Sequence, residues 1–203
     1  MKIFLGVPCA SGIMHLETVR SVVGLQGITN IAFISNALIH DARHQIVKEF
    51  LKSDCDYLFF LDDDMIIAPD TALRLVEVAE RLDSDLVTAM IFRRVEPYTP
   101  CFYAEIDEMG RLIPYAEWHE NSLIPIVGCG LAACVISRKA LEPFETHNPF
   151  IPKDKGEDMT FCEALRKNGC TLSCHTGIDT GHMQRRPITS RHWKEYYESH
   201  KEK

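Results

Sequence analysis

Apolar residues in the first ninety positions alternate between short continuous runs and helically spaced stripes. The run KIFLGVP at 2–8 predicts a strand closed by Pro8 and followed by a turn at Ser11-Gly12. Residues 14–25 predict a helix with Leu16, Val19, Val22 and Val23 on one side, and IAFIS at 31–35 predicts a second strand. A second helix follows over 41–51, where Ile46, Val47, Phe50 and Leu51 make an apolar face. YLFFL at 57–61 is apolar throughout, as strands buried on both faces of a parallel sheet are. Pro69 and Asp70 open a helix to about Leu82, and DLVTAMIF at 85–92 supplies a fourth strand. Strand–helix alternation at this spacing predicts an α/β fold: an open, mostly parallel Rossmann-like sheet flanked by helices.

The second half breaks that rhythm. Pro97, Pro100, Pro114 and Pro125 punctuate short polar and aromatic segments. The run LIPIVGCGLAACVIS at 123–137 predicts one buried strand holding Gly128 and Gly130, where glycine marks close approach of backbone to a ligand. A helix over 157–167, stopped by Asn168-Gly169, precedes a last strand, TLSCH, and a tail ending HWKEYYESHKEK. With no internal repeat, low-complexity segment or long linker, 203 residues suggest one domain.

Composition narrows the functional classes. The net charge of −7 and the lack of a strongly basic tract argue against a nucleic-acid partner. The pairs Arg93-Arg94 and Arg185-Arg186 fit solvated surface as well as they fit phosphate contacts. No apolar run reaches the ~20 residues of a membrane span, and the opening MKIFLGVPCASG reads as a strand rather than a secretory signal. Eight cysteines include no CxxC pair; only Cys170 and Cys174, beside His175, lie close together. Reduced, mostly buried thiols of a cytoplasmic protein are favoured over a zinc cluster.

The chemistry concentrates in LDDDM, where three carboxylates, Asp62, Asp63 and Asp64, end the third strand. Like charges about 4 Å apart cost roughly 1 kcal/mol in water and several times that near a protein surface, so a positive partner is expected. Ligands of open α/β sheets bind beyond the strands' carboxyl ends. The Pro8–Gly12 turn, the acidic triplet and the segment around His182 all sit there. On an extended chain, residues two apart point to one side, which would let Asp62 and Asp64 address one Mg²⁺ or Mn²⁺ ion. Capping of the following helix is the alternative for these acids, but that helix starts too late. Trp118, Tyr115 and His119 lie in the irregular middle region, as an aromatic platform for a ligand or simply core and surface.

The stretches DYLFFLDDDM, VGCGLAACVISRKALE, GEDMTFCEALRKNG and DTGH, in that order over about 2–182, resemble a glycosyltransferase of the GT-A fold, family 2 type, in the compact bacterial and phage form. Each stretch alone is weak; the four in order are specific. The resemblance implies a nucleotide-binding half at about 1–95, an acceptor half at about 96–182 and a tail at 183–203. It implies that Asp62 and Asp64 hold a divalent cation, with Asp64 the direct ligand, His182 completing the shell and Asp62 or Asp63 reaching the ribose. It also makes Asp158, preceded by Glu157, the general base. Pro8 and Ser11 fall in the nucleoside loop, Arg43 near the diphosphate, and Gly130 beneath the donor sugar. Asn36 stands where many relatives read the base with an acid, and His44 where Asn often follows the arginine. The QxxRW motif of processive membrane synthases is missing.

The implied reaction is transfer of a sugar from a nucleoside diphosphate, a UDP-sugar first and a GDP-sugar second, to an acceptor glycan or other hydroxyl, with inversion. A catalytically silent sugar-nucleotide binder of the same fold is the rival. A phosphohydrolase with a DxD nucleophile wants its motif after the first strand. A nucleotidyltransferase wants a basic glycine-rich loop there, which GVPCASGIMH lacks.

Overall fold

The computed structural model describes residues 1–184 and 187–200. The Arg185-Arg186 pair and the last three residues of the tail lie outside the described residues. Strands β1 (Ile3–Cys9), β2 (Ile28–Ser35) and β3 (Tyr57–Leu61) alternate with helices α1 (Leu16–Gly24) and α2 (Ile39–Lys52). A short β4 (Met65–Ile66) precedes α3 (Thr71–Leu82) and β5 (Leu86–Met90). Four strands then follow without a helix: β6 (Phe102–Ile106), β7 (Leu112–Pro114), β8 (Leu123–Pro125) and β9 (Gly128–Cys129). The chain continues through β10 (Ala133–Ser137), α4 (Arg138–Leu141), α5 (Glu157–Lys167), β11 (Leu172–Asp179), β12 (Gly181–Met183), β13 (Pro187–Ile188) and α6 (Ser190–His200).

Among the described residues the main sheet has seven strands in the order β2-β1-β3-β10-β5-β11-β8. β1 pairs in parallel with both β2 and β3, and β11 with β5, as the apolar runs predict. β10 is inserted antiparallel between β3 and β5, and β8 closes the far edge antiparallel to β11. Both faces are covered. On one, Phe4, Phe60, Ile46 and Phe50 meet Phe150 and Phe161, whose rings stack at 4.3 Å. On the other, Leu5, Phe59 and Leu61 pack against Leu75, Val76 and Ala79 of α3. Each such side chain, fully buried, contributes about 1.5–3 kcal/mol. Arg138 pins the exit of β10 to the end of α2, donating from Nε to the Cys55 carbonyl and from Nη2 to those of Phe50 and Ser53.

Two expectations are corrected. The run 123–137 is three strands, because Pro125, Gly128 and Gly130 interrupt the ladder. Helix α1 does not bury Leu16, Val19 and Val23, which are exposed. It crosses β4, turning inward Thr18 and Ser21, with Val22 half-buried, and the Ser21 hydroxyl accepts the Ile67 N–H at 3.1 Å. The tail, whose order the sequence left open, forms a helix, α6.

Two small sheets shape the rim where β1, β3 and β5 end and β10 begins. β4, β12 and β13 form one, in which His182 pairs with Met65. β7, β6 and β9 form the other, carrying Gly128 and Cys129 beside Tyr103 and Phe102.

Candidate active site

Beyond Leu61 the chain turns instead of staying extended. The Asp62 N–H donates to the Ala132 carbonyl at 3.0 Å, and the Met65 N–H returns to the Asp62 carbonyl at 3.3 Å. The three carboxylates therefore diverge, and the expectation that Asp62 and Asp64 point together is not met. Asp62 turns inward, with Nη2 of Arg43 3.1 Å from its Oδ1 and 3.3 Å from its Oδ2. Asp63 accepts a hydrogen bond from the Cys9 thiol. Asp64 faces the rim, where Nη1 of Arg94 donates to its Oδ2 at 2.8 Å and Nε2 of His182 stands 3.3 Å from the same oxygen. The positive partners expected of the triplet are thus in large part the protein's own.

The β4–β12 pairing delivers His182 to this position, reinforced by the Met183 N–H donating to the Asp64 carbonyl at 2.7 Å. On the other side of the ring, Nδ1–H donates to the Phe92 carbonyl at 2.7 Å. A carbonyl only accepts, so the nitrogen facing Asp64 is Nε2, and its lone pair is presented when the ring is neutral. A metal-ligating histidine is held in this way.

Arg43 is 2% exposed, so its guanidinium is buried. It stands beneath the carboxylates, 3.6 Å from Asp158 and 3.9 Å from Glu157, so one buried cation joins the triplet to the start of α5. Arg43 Nε and Nη1, with Asp158 Oδ1, are buried without a hydrogen-bond partner. Burial pushes Asp158 up to about 7; Arg43 opposes that rise, and Glu157 and Asp62 add to it. Burial likewise raises Asp62 against the pull of Arg43. Burial also works against Asp64, yet His182 and Arg94 hold it below the ordinary carboxylate range. His182 is raised, its desolvation outweighed by Asp64 and the Phe92 carbonyl.

The remaining expected residues surround this core. Pro8 is buried in β1, and the loop after it turns at Ser11, whose Oγ accepts the Ile13 N–H, and at Gly12 with φ +71°. Asn36 adjoins this loop with φ +55°; its Oδ1 is 3.7 Å from where a Cβ on Gly12 would stand. A Cβ on Gly130 would lie 3.8 Å from Asp158 Oδ2, which keeps Gly130 at the site. At Gly128 it would meet Met159 Sδ of α5 at 2.9 Å, so that glycine serves helix packing instead. Trp118 is half-buried against Phe102 and Phe92, and Tyr115 packs on Phe102, while His119 is exposed.

For a divalent cation, Asp64 and His182 offer donor atoms at the rim, while Asp62, whose buried Oδ1 has no hydrogen-bond partner, lies against Arg43. Mg²⁺ is held by one or two carboxylates plus substrate phosphates, and Mn²⁺ also accepts imidazole. Among the described residues no group of three His, Cys, Asp or Glu side chains forms a closed shell, so substrate oxygens would complete one here.

The sequence profile of glycosyl transferase family 2 matches residues 29–143, more than half of the chain. The chain belongs to this family. Within the matched segment of this family 2 domain lie Asn36, Arg43, the acidic triplet, Arg94 and both glycines; Glu157, Asp158 and His182 come after it. Family 2 membership makes the domain a glycosyltransferase with a nucleotide-sugar donor. Among solved structures it is similar to A197 from STIV, at 20% identity and a TM-score of 0.69 over 90% of this chain and 85% of that one. It is also similar to CMP:2-keto-3-deoxy-manno-octonic acid synthetase complexed with CTP, at 14% identity and a TM-score of 0.54 over 100% and 99%. At these identities the likenesses show the fold alone. No curated protein matches the chain.

Sequence reasoning missed one residue at this site and two aromatic residues of the tail. Arg94 was legible only as half of a basic pair. Trp193 and Tyr197 sit in the tail, where their spacing with Tyr196 is a helical-face signal.

Proposed function

We propose that the domain transfers a sugar from a nucleoside diphosphate to an acceptor hydroxyl with inversion, Asp158 acting as general base and Asp64 with His182 holding a divalent cation. The observation that carries this reading is the single buried cation, Arg43, shared by the metal-side turn and the base. It fixes Asp62 and Asp158 relative to each other in a fold whose family uses nucleotide-sugars.

Asp158, raised to about 7, is poised to accept the acceptor's proton as the hydroxyl attacks. The backbone at Gly130, with no Cβ, leaves space beside its carboxylate for the sugar. Asn36 and the Pro8–Ser11 loop, next to Asp63, receive the nucleoside. Arg94, half exposed and ion-paired to Asp64, is free to exchange that carboxylate for a phosphate oxygen. A cation bound at Asp64 and His182 supplies Lewis-acid neutralisation of charge developing on the diphosphate. No helix among the described residues is long and apolar enough to cross a membrane. Eight free thiols, six of them buried, suit a cytoplasmic setting.

A thermal-shift panel of UDP- and GDP-sugars, with and without Mn²⁺, tests this. A true donor at 100 times its Kd adds about 2.7 kcal/mol to stability, and that gain is expected only with metal. Donor binding that survives chelation and the Asp64→Ala substitution overturns the metal assignment.

A further inference from the structure

A cavity of about 470 Å³ lies between the loop at 116–120 and α6, within the range of small-ligand sites. Its wall is aromatic: Trp118 and Trp193 have ring centroids 4.7 Å apart, and Tyr197 stacks on Trp193 at 5.0 Å and 12°. Its polar lining is Glu117, Glu120, Glu198 and Lys194, with Lys194 ion-paired to Glu120 at 2.6 Å. A second cavity of about 260 Å³ shares Trp118, Glu120 and Lys194 and runs on to Met90 and Asp179. Contacts link this lining to the rim. The Thr180 hydroxyl donates to the Met90 carbonyl at 2.6 Å, and Phe92, whose carbonyl orients His182, places its ring 6.2 Å from Trp118 and 6.4 Å from Trp193.

The lining selects a chemical class. Aromatic faces suit flat apolar surfaces, and carboxylates beside them suit hydroxyl donors. A single-stranded nucleic acid would stack its bases but bring phosphates against three glutamates and one lysine. A cationic ligand would have to compete with Lys194 for Glu120. A pyranose offers a C–H face for the rings and hydroxyls for the carboxylates, without adding charge.

We infer that this aromatic cavity under α6 is the acceptor subsite and takes a neutral oligosaccharide. The inference rests on the transferase reading above and names the substrate class of that site. Sugars bound along Trp118 place the acceptor end toward Met90 and Asp179, on the way to the rim where the donor is held.

The protein carries its own reporter, because Trp118 and Trp193 are its only two tryptophans. Tryptophan emission of the whole chain is titrated with cellotetraose, chitotetraose, mannotetraose and maltotetraose, and with oligogalacturonate and polyuridylate. At least one neutral tetrasaccharide is expected to give a saturable change, and the two polyanions none. The Tyr197→Ala variant, and a Glu117→Gln/Glu198→Gln double variant that leaves the rings in place, are each expected to raise the Kd about tenfold, the effect of one charge-assisted hydrogen bond or stacking contact. Absence of a saturable change with every neutral sugar, preferential binding of a polyanion, or unchanged Kd in both variants overturns the inference. The Asp64→Ala protein separates the two readings. Glycan binding retained there beside lost donor binding supports both. Donor binding without any glycan response in the wild type sinks the subsite alone.

Discussion

Arg43 and Asp158 stand 3.6 Å apart, and the same guanidinium nitrogen lies 3.1 Å from Asp62. A cation almost wholly out of water thus holds two acids, one in the turn beside the proposed cation site and one proposed as the general base. Removing it leaves both carboxylates without their charge partner. Arg43→Ala is expected to destabilise the fold by about 3–5 kcal/mol, measured by urea denaturation. Arg43→Lys keeps the charge but not the planar fork. It should fold, with kcat falling while the KM for donor changes little. A variant with wild-type kcat would show that the guanidinium geometry is immaterial.

Asp158→Asn is expected to keep donor affinity and lose about 10²–10⁴-fold in transfer rate. In the wild type, kcat/KM should climb with pH and level off above about 7, since the base must be ionised. Stability moves the other way. A carboxyl whose pKa rises on folding contributes stability that is complete below its unfolded value near 4 and is lost as pH passes about 7. The wild type should therefore weaken, relative to Asp158→Asn, between pH 4 and 7, and denaturant titrations at several pH values check the sign.

His182→Ala should weaken Mn²⁺-dependent donor binding about 10- to 100-fold, the scale seen when a metal's ligand environment is disturbed. Because a ligating imidazole must be neutral and His182 is raised above 6.5, metal affinity should increase as pH rises through that value. Calorimetry with Mn²⁺ and donor at pH 6 and pH 8 reads this directly; equal affinities would remove His182 from the shell.

Gly6 lies on β1 against α2, and an added Cβ would collide with Ile46 in the closed core. Gly6→Ala should cost about 1–3 kcal/mol through overpacking, lowering Tm with little effect on donor Kd. Gly169, with φ +79° and open space where a Cβ would stand, tests backbone strain alone. Gly169→Ala should cost only about 1–2 kcal/mol.

The sheet was legible because β1, β3 and β5 are buried on both faces and so are apolar at nearly every position. The divergence of Asp62, Asp63 and Asp64 was not. It depends on the turn that β10 imposes through the Ala132 carbonyl, a contact seventy residues away in the chain. The surroundings of Arg43 were not legible either: only the fold shows three acids enclosing it. On α1 the apolar stripe pointed to the wrong face, because a strand crossing at Ser21 made hydrogen bonding matter more there than hydrophobic burial. The aromatic wall combines Trp118 with Trp193, which lie far apart in the chain, and each alone passes for ordinary packing.

The reversed strand β10 has an evolutionary corollary. Because it runs against its neighbours, the excursion from 91 to 132 departs from β5 and returns to β10 side by side, with Cys134 opposite Thr88. The part of this detour before β8 leaves and rejoins without entering the main sheet, so it can be lengthened, trimmed or exchanged without rethreading what lies beneath. Under the proposed function, changing what is decorated would then ask for a new stretch between about 95 and 122, while Arg94, Gly130 and the rest of the donor site stay in place.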